Sequence, residues 1–402
     1  MLYFFILGDV LGAGVYVLVG QVAAESGGAV WVPLLVAMCL SLLTAASYAE
    51  LVTKYPRAGG ASHYATLAYG PFLGFLAGFC MLAAGVVSVA ALARGFGGDY
   101  LTEFVTLPVV LVTIVFLVLL ALLNARGISE STRANVVATV IEVGGLLLVI
   151  GLGVWIVLRG DGNPGRLTEL GTSRDSFVGF ETSVNVAEET REPRRSYPRA
   201  LFGALLTAGA VYALVGAAAS AAVPQQKLTD SSGPLLEVVR AAGGVPPGLF
   251  GVVALVAVAN GALLTGIMSS RLAYGMARDG LLPRFLTKVL PGRRTPWAAI
   301  STTTALSLLL ALTGDVSTLA STLVLLLLVV FFLVNTSLLV LRRDTTPGPH
   351  FRVPTAVPVL GALSCVLLAT RIEHDVWLRG LIVLAVGGGL GAVAASRSRR
   401  AS

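Results

Sequence analysis

Apolar runs of about 20 residues, the length that carries a helix across bilayer hydrocarbon, alternate with short polar stretches along nearly the whole chain. The pattern predicts spans at 2–23, 29–53, 71–98, 107–124, 134–158, 199–223, 247–270, 297–313, 317–341, 355–371 and 376–395. A weaker apolar segment covers Phe177–Ala187. As a helix it would reach only about 16 Å, against roughly 30 Å of hydrocarbon. Two segments are interrupted. The first carries Gly8-Asp9-Val10-Leu11-Gly12-Ala13-Gly14 between Tyr3–Leu7 and Val15–Val19, and the weak one carries Gly179. Irregular backbone at membrane depth is tolerated only where it lines a cavity or is buried in protein. The half-helix ends at such a break present N–H groups on one side and carbonyls on the other, which suits a small charged ligand.

Composition agrees with this pattern. Hydrophobic residues make up 56% and charged residues 12%, against about 25% charged in soluble domains. An integral membrane protein without aqueous domains is expected. Charge also sets the orientation. If Phe177–Ala187 crosses the membrane, 20 of the 28 basic residues fall in inner loops and both termini are cytoplasmic. If it does not cross, the ratio inverts, so the positive-inside rule selects the crossing. The net charge of +7 is no nucleic-acid signal, because the basic residues lie between apolar segments rather than along one face.

Cys39, Cys80 and Cys365 lie far apart in apolar runs without C-x-x-C spacing, and His63, His350 and His374 are scattered. The cysteines read as small buried residues, and no metal site can be assembled. Without a nucleophile triad or phosphate loop, neither an enzyme nor a cofactor is expected. Met1 is followed at once by Leu-Tyr-Phe-Phe with no basic region, so no cleavable signal peptide is expected and the chain should begin inside its first helix.

Ionisable groups within spans are functional candidates by default. Asp9 has three readings: polar contacts across the break, proton carriage, or a place near the cytoplasmic surface. Glu142 lies in the otherwise apolar run 136–150. It reads as a proton carrier, a Na⁺ ligand, or the partner of a neighbouring polar group. Segments one to five, and the weak segment with the four after it, form two sets of five with interrupted leading members. Such a pair of broken segments marks inverted repeats around a midplane site.

Several blocks carry a family resemblance. Gly12-Ala13-Gly14-Val15-Tyr16-Val17 resembles the G-x-G-[IV]-[FY] break of the amino acid–polyamine–organocation (APC) permeases. Tyr55-Pro56-Arg57-Ala58-Gly59-Gly60 and Asn124-Ala125-Arg126-Gly127 resemble the family's P-x-x-G-G and N-x-R-G. Phe180-Glu181 through Ala187-Glu188-Glu189, with Glu192-Pro193 and Pro198, resembles its sixth helix, and Ser270–Pro296 the block after its eighth. The family has the LeuT-type fold, all-α, with 5+5 inverted repeats and two peripheral helices. Here that implies eleven full spans and one truncated broken helix. The resemblance implies that Gly12, Ala13 and Gly14 offer N–H groups to a substrate carboxylate, in line with the dipole at a helix N-terminus. The stretch Ser176-Phe177-Val178-Gly179 matches the second break, where the carbonyls of Asp175 and Val178 would accept the substrate ammonium. Phe180 would wall the side-chain pocket. Glu181 would be a protonation-linked gate, or a cap of the following half-helix.

The chain departs from the family ahead of Ser176. Where the family has an apolar half-helix, residues 161–175 are polar. Placing Arg174 and Asp175 at the midplane would cost about 2.5 kcal/mol each, so they are expected at the outer surface or lining water. The expected organisation is a first repeat at 1–158, a polar outer loop at 159–176, a second repeat at 177–342 and peripheral helices at 343–402. The expected function is proton-coupled amino acid transport across a bacterial cytoplasmic membrane, Na⁺ being the other coupling ion. The rivals are a non-transporting remnant that binds or senses, and a polyamine or organic-cation carrier.

Overall fold

The computed structural model describes residues 7–8, 11, 14–55, 60–127, 131–169, 193–344 and 350–401, with side chains described except at 131–135, 193–197 and 390–401. The described chain is helical. Its helices are α1 (Gly14–Ser26), α2 (Trp31–Lys54), α3 (Gly60–Tyr69), α4 (Pro71–Phe96), α5 (Asp99–Thr102), α6 (Val109–Arg126), α7 (Ser131–Leu158), α8 (Pro193–Ala222), α9 (Gln225–Asp230), α10 (Pro234–Ala242), α11 (Pro247–Arg278), α12 (Trp297–Thr313), α13 (Val316–Leu341), α14 (Ala356–Ala369) and α15 (His374–Ala401). Pro71, Pro234 and Pro247 each open a helix, where the missing N–H costs nothing and the fixed φ is already helical.

Among the described residues, seven helices are long and apolar enough to span a membrane. They begin at Trp31, Pro71, Val109, Val136, Pro198, Pro247 and Val316. Both α12, with 17 residues, and α14, with 14, are shorter, and α14 meets α15 at 116°. Leu122, Val140 and Leu363 are more than half exposed although apolar. A helix that is apolar all round needs two apolar environments, and lipid supplies the second. This is a multi-pass membrane protein.

Small residues let the helices approach closely, as is usual within membranes. A Cβ on Gly216 would lie 2.7 Å from Leu34, and Gly209 sits against Met38, so α8 runs antiparallel to α2. The C-terminal ends of α7 and α8 lie together: Gly153 faces Ala218 and the Asn163 N–H donates to the Ala221 carbonyl at 2.9 Å. The polar stretch expected outside the membrane begins here. It turns through a 3₁₀ segment, Pro164–Thr168, and docks on the start of α2. The Ala29 N–H donates to Glu169 O at 3.0 Å, and Trp31 Nε1 donates to Leu167 O at 3.0 Å. The start of α8 lies at the opposite end, where Phe202 packs on Phe351, whose N–H donates to Thr53. Residues 169 and 193 therefore stand at opposite ends of the bundle. The segment Phe177–Ala187 lies outside the described residues.

The Lys54 end is held by buried charge. Arg342 grips Glu50 through two parallel hydrogen bonds, Nε to Oε1 at 2.9 Å and Nη2 to Oε2 at 2.6 Å. The Val353 N–H also donates to Oε2 at 2.8 Å, and Arg342 reaches Thr355 and the Val353 carbonyl. Lys54 donates to the carbonyls of Leu341 and Asp344. Deeper in the bundle, fully buried Asn335 accepts from Ser47 and donates to Thr44. The two networks fasten α2, α13 and the chain leading into α14.

At the start of α13, Asp315 accepts from the Thr318 N–H at 3.1 Å and caps the helix. Its hydrogen bonding to Thr318 holds the carboxyl below its ordinary range. The cap is therefore complete above the unfolded-state value of about 3.9 and is lost as pH falls through the lower folded-state value. Asp315→Ala is expected to cost about 1 kcal/mol at neutral pH. In paired thermal melts that gap should close in acid.

Candidate substrate and coupling site

Of the residues expected at the site, Gly14 and Glu142 are described, whereas Asp9, Gly12, Ala13, Asp175, Ser176, Val178, Gly179, Phe180 and Glu181 lie outside the described residues. Leu7 and Gly8 are helical, the Leu11 N–H donates back to Leu7 O at 2.7 Å, and α1 is described from Gly14 onward. No described atom lies within 4 Å of the place a Cβ would take on Gly14. Among the described residues, packing therefore gives no reason for a glycine there.

The opposite wall is α7. Gly8 sits against Thr139, and the Tyr16 hydroxyl donates to the Glu142 carbonyl at 2.7 Å. A Cβ on Gly145 would come within 2.5 Å of both the Tyr16 hydroxyl and Val253, so α1, α7 and α11 meet there without room for a side chain. Glu142 falls between the contacts made by Gly8 and Tyr16. Its side chain is fully buried, and Oε1 accepts from Asn260 Nδ2 of α11 at 3.0 Å. A carboxylate in hydrocarbon surroundings is costly and marks an ion pathway by default; here an amide fixes its orientation.

At the Trp31 end, α9 and α10 close over α1. Leu228 O presses on Gly20, and Gln225 Nε2 donates to Ala23 O at 2.8 Å. The apolar face of α10 is fully buried through Leu235, Leu236, Val238 and Val239. Asp99 Oδ2 accepts from the Ser231 hydroxyl at 2.7 Å and the Ser232 N–H at 2.9 Å. Arg240 pairs with Glu103 and Glu237. Burial works against the charged guanidinium, but those two hydrogen bonds outweigh it and raise Arg240 above its ordinary value.

The motif blocks also meet in space. Asn124 donates to Gly266 O and to the Ser270 hydroxyl, and Thr295 donates to Ala125 O at 2.8 Å. A model of the family described as "Amino acid permease" matches residues 1–378. This chain belongs to that family, the amino acid permeases of the APC superfamily. The permease is 31% identical over 402 residues to an uncharacterized transporter of Mycobacterium tuberculosis, covering 95% of this chain and 87% of that one. It is 26% identical over 411 residues to a methylthioribose transporter of Bacillus subtilis and 25% identical over 413 to that organism's branched-chain amino acid permease. Each of those matches covers 95% of this chain and 89% of the relative. The family and these relatives are permeases and transporters.

The sequence had placed Glu142 but not its partners. Asn260, an amide in a span whose other polar residues are the hydroxyls Thr265, Ser269 and Ser270, was the available signal, and Tyr16 belonged to a quoted motif without a role attached.

Proposed function

We propose that the permease is a secondary active transporter that carries amino acids across a bacterial cytoplasmic membrane by alternating access, coupled to a proton. The Lys54 end faces the cytoplasm with both termini, and the chain has the 5+5 repeat with two peripheral helices, divided at 158, 176 and 342. The N–H groups of Gly12, Ala13 and Gly14 take the substrate carboxylate. The carbonyls of Asp175 and Val178, within the break that includes Ser176 and Gly179, take the ammonium. Phe180 walls the pocket, Glu181 gates it, and Asp9 and Glu142 serve coupling.

The observation that carries this reading is that no described side chain packs against Gly14, on the N-terminal turn of α1, with buried Glu142 nearby on α7 between the contacts of Gly8 and Tyr16. Helix N-termini favour anions through free N–H groups and the dipole, and a neighbouring ionisable group supplies a place for the coupling proton. Binding only to the folded state raises stability by about 2.7 kcal/mol at a hundred times Kd. Melts of purified permease with single amino acids, and with methylthioribose, should show one class raising Tm. Gly14→Leu should melt near wild type without ligand, because no described side chain packs against Gly14, and should lose the ligand shift. No shift with any amino acid would refute the substrate class, and a methylthioribose shift alone would replace it.

A further inference from the structure

The bonds around α1 form one line from the closing helices to the buried carboxylate. The loop joining α9 and α10 is held on Asp99 of α5, through Ser231 and Ser232, and the Asp99 N–H donates back to Ser232 Oγ at 2.8 Å. The next residue, Tyr100, is fully buried, and its hydroxyl donates to the Tyr16 carbonyl at 2.7 Å. The Tyr16 hydroxyl in turn donates to the Glu142 carbonyl at 2.7 Å. Asn260 holds the Glu142 side chain from α11. Phe250, fully buried on the same helix, lies against both tyrosine rings at 6.1 and 6.3 Å. Lifting α9 and α10 away from the Trp31 end therefore breaks the Asp99 bonds and loosens Tyr100. Among the described residues, Tyr16 alone bridges Tyr100 and the backbone that carries Glu142.

The geometry points to Tyr100, Tyr16 and Asn260 as positioning residues that couple closure of the α9–α10 pair to the setting of Glu142. The inference rests on the reading of Glu142 as the coupling carboxylate, and it names the parts through which that carboxylate senses closure. Contiguous hydrogen bonds are a physical route for coupling, but only a coupling measurement distinguishes a route from a set of satisfied core hydroxyls. Coupling is also reciprocal, so a change at Glu142 must be felt at α9 and α10.

Hydrogen–deuterium exchange of the purified full chain tests this without any substrate. Glu142→Gln and Asn260→Ala should each change the exchange rates of residues 225–242 by about fivefold or more. In the Tyr16→Phe and Tyr100→Phe backgrounds, which keep both rings and remove one hydroxyl, the same changes should vanish. Persistence of the changes in those backgrounds overturns the proposal, as does their absence in the wild-type background. A transport arm separates this from the reading beneath it. In proteoliposomes, Tyr16→Phe should keep substrate exchange yet fail to accumulate substrate under a pH gradient. Equal loss of both activities would mean a merely structural hydroxyl and overturn the proposal. Gradient-driven accumulation by Glu142→Gln at the wild-type level would overturn the coupling role of Glu142, while the exchange data would still judge the linkage.

Discussion

Replacing Arg342 by methionine is expected to lower unfolding stability by about 3–5 kcal/mol, the usual cost of stripping one partner from a buried ion pair. Glu50 is fully buried, and two of the three hydrogen bonds its carboxylate accepts among the described residues come from Arg342. Without the guanidinium the buried carboxylate keeps, among the described residues, only the Val353 N–H. The same side chain also ties the Val353 carbonyl and Thr355, so the chain leading into α14 should loosen with it. The double variant Glu50→Leu/Arg342→Met removes both charges and should recover most of the loss, because a well-packed apolar pair often replaces a buried ion pair at little cost. Melts in one detergent should rank wild type first, then the double variant, then Arg342→Met. If Arg342→Met melts with wild type, the pair does not hold this end together.

Glu142→Gln should abolish accumulation and spare exchange. Glutamine keeps the shape and an oxygen for Asn260 to bond, so α7 and α11 should stay as they are. It does not take up and release a proton near neutral pH. One pH unit across the membrane holds about 1.4 kcal/mol per proton, enough for about tenfold accumulation of a co-transported solute. Wild type should approach that ratio in proteoliposomes. The variant should stop at equal concentrations on both sides while still exchanging labelled for unlabelled substrate. Tenfold accumulation by the variant would remove Glu142 from coupling.

The long helices were legible in the sequence because hydrocarbon thickness imposes a long apolar run, and the structure places α2, α4, α6, α7, α8, α11 and α13 on the expected runs. Their ends were less legible. Helix α11 continues to Arg278 and α8 begins at Pro193, beyond the apolar runs that ended at 270 and began at 199. Hydropathy marks where lipid stops, whereas the hydrogen-bond ladder continues into polar surroundings. The short helices α3, α5, α9 and α10 were missed for the same reason, since they bury one face against protein and span nothing. At the site, Gly14 and Glu142 could be named because each violates what a plain span would carry. The Tyr16, Tyr100 and Asn260 links could not, because they join residues more than eighty positions apart. The Glu50–Arg342 pair is separated further still, and either residue alone reads as an ordinary charge near a helix end.

Uptake by purified wild-type permease in proteoliposomes, with a mixture of labelled amino acids and an imposed pH gradient, tests the central claim most directly, with Gly14→Leu run beside it. Uptake that requires the gradient and disappears in Gly14→Leu is the expected result. No amino acid uptake by the wild type would contradict transport, and uptake undiminished in Gly14→Leu would contradict the site.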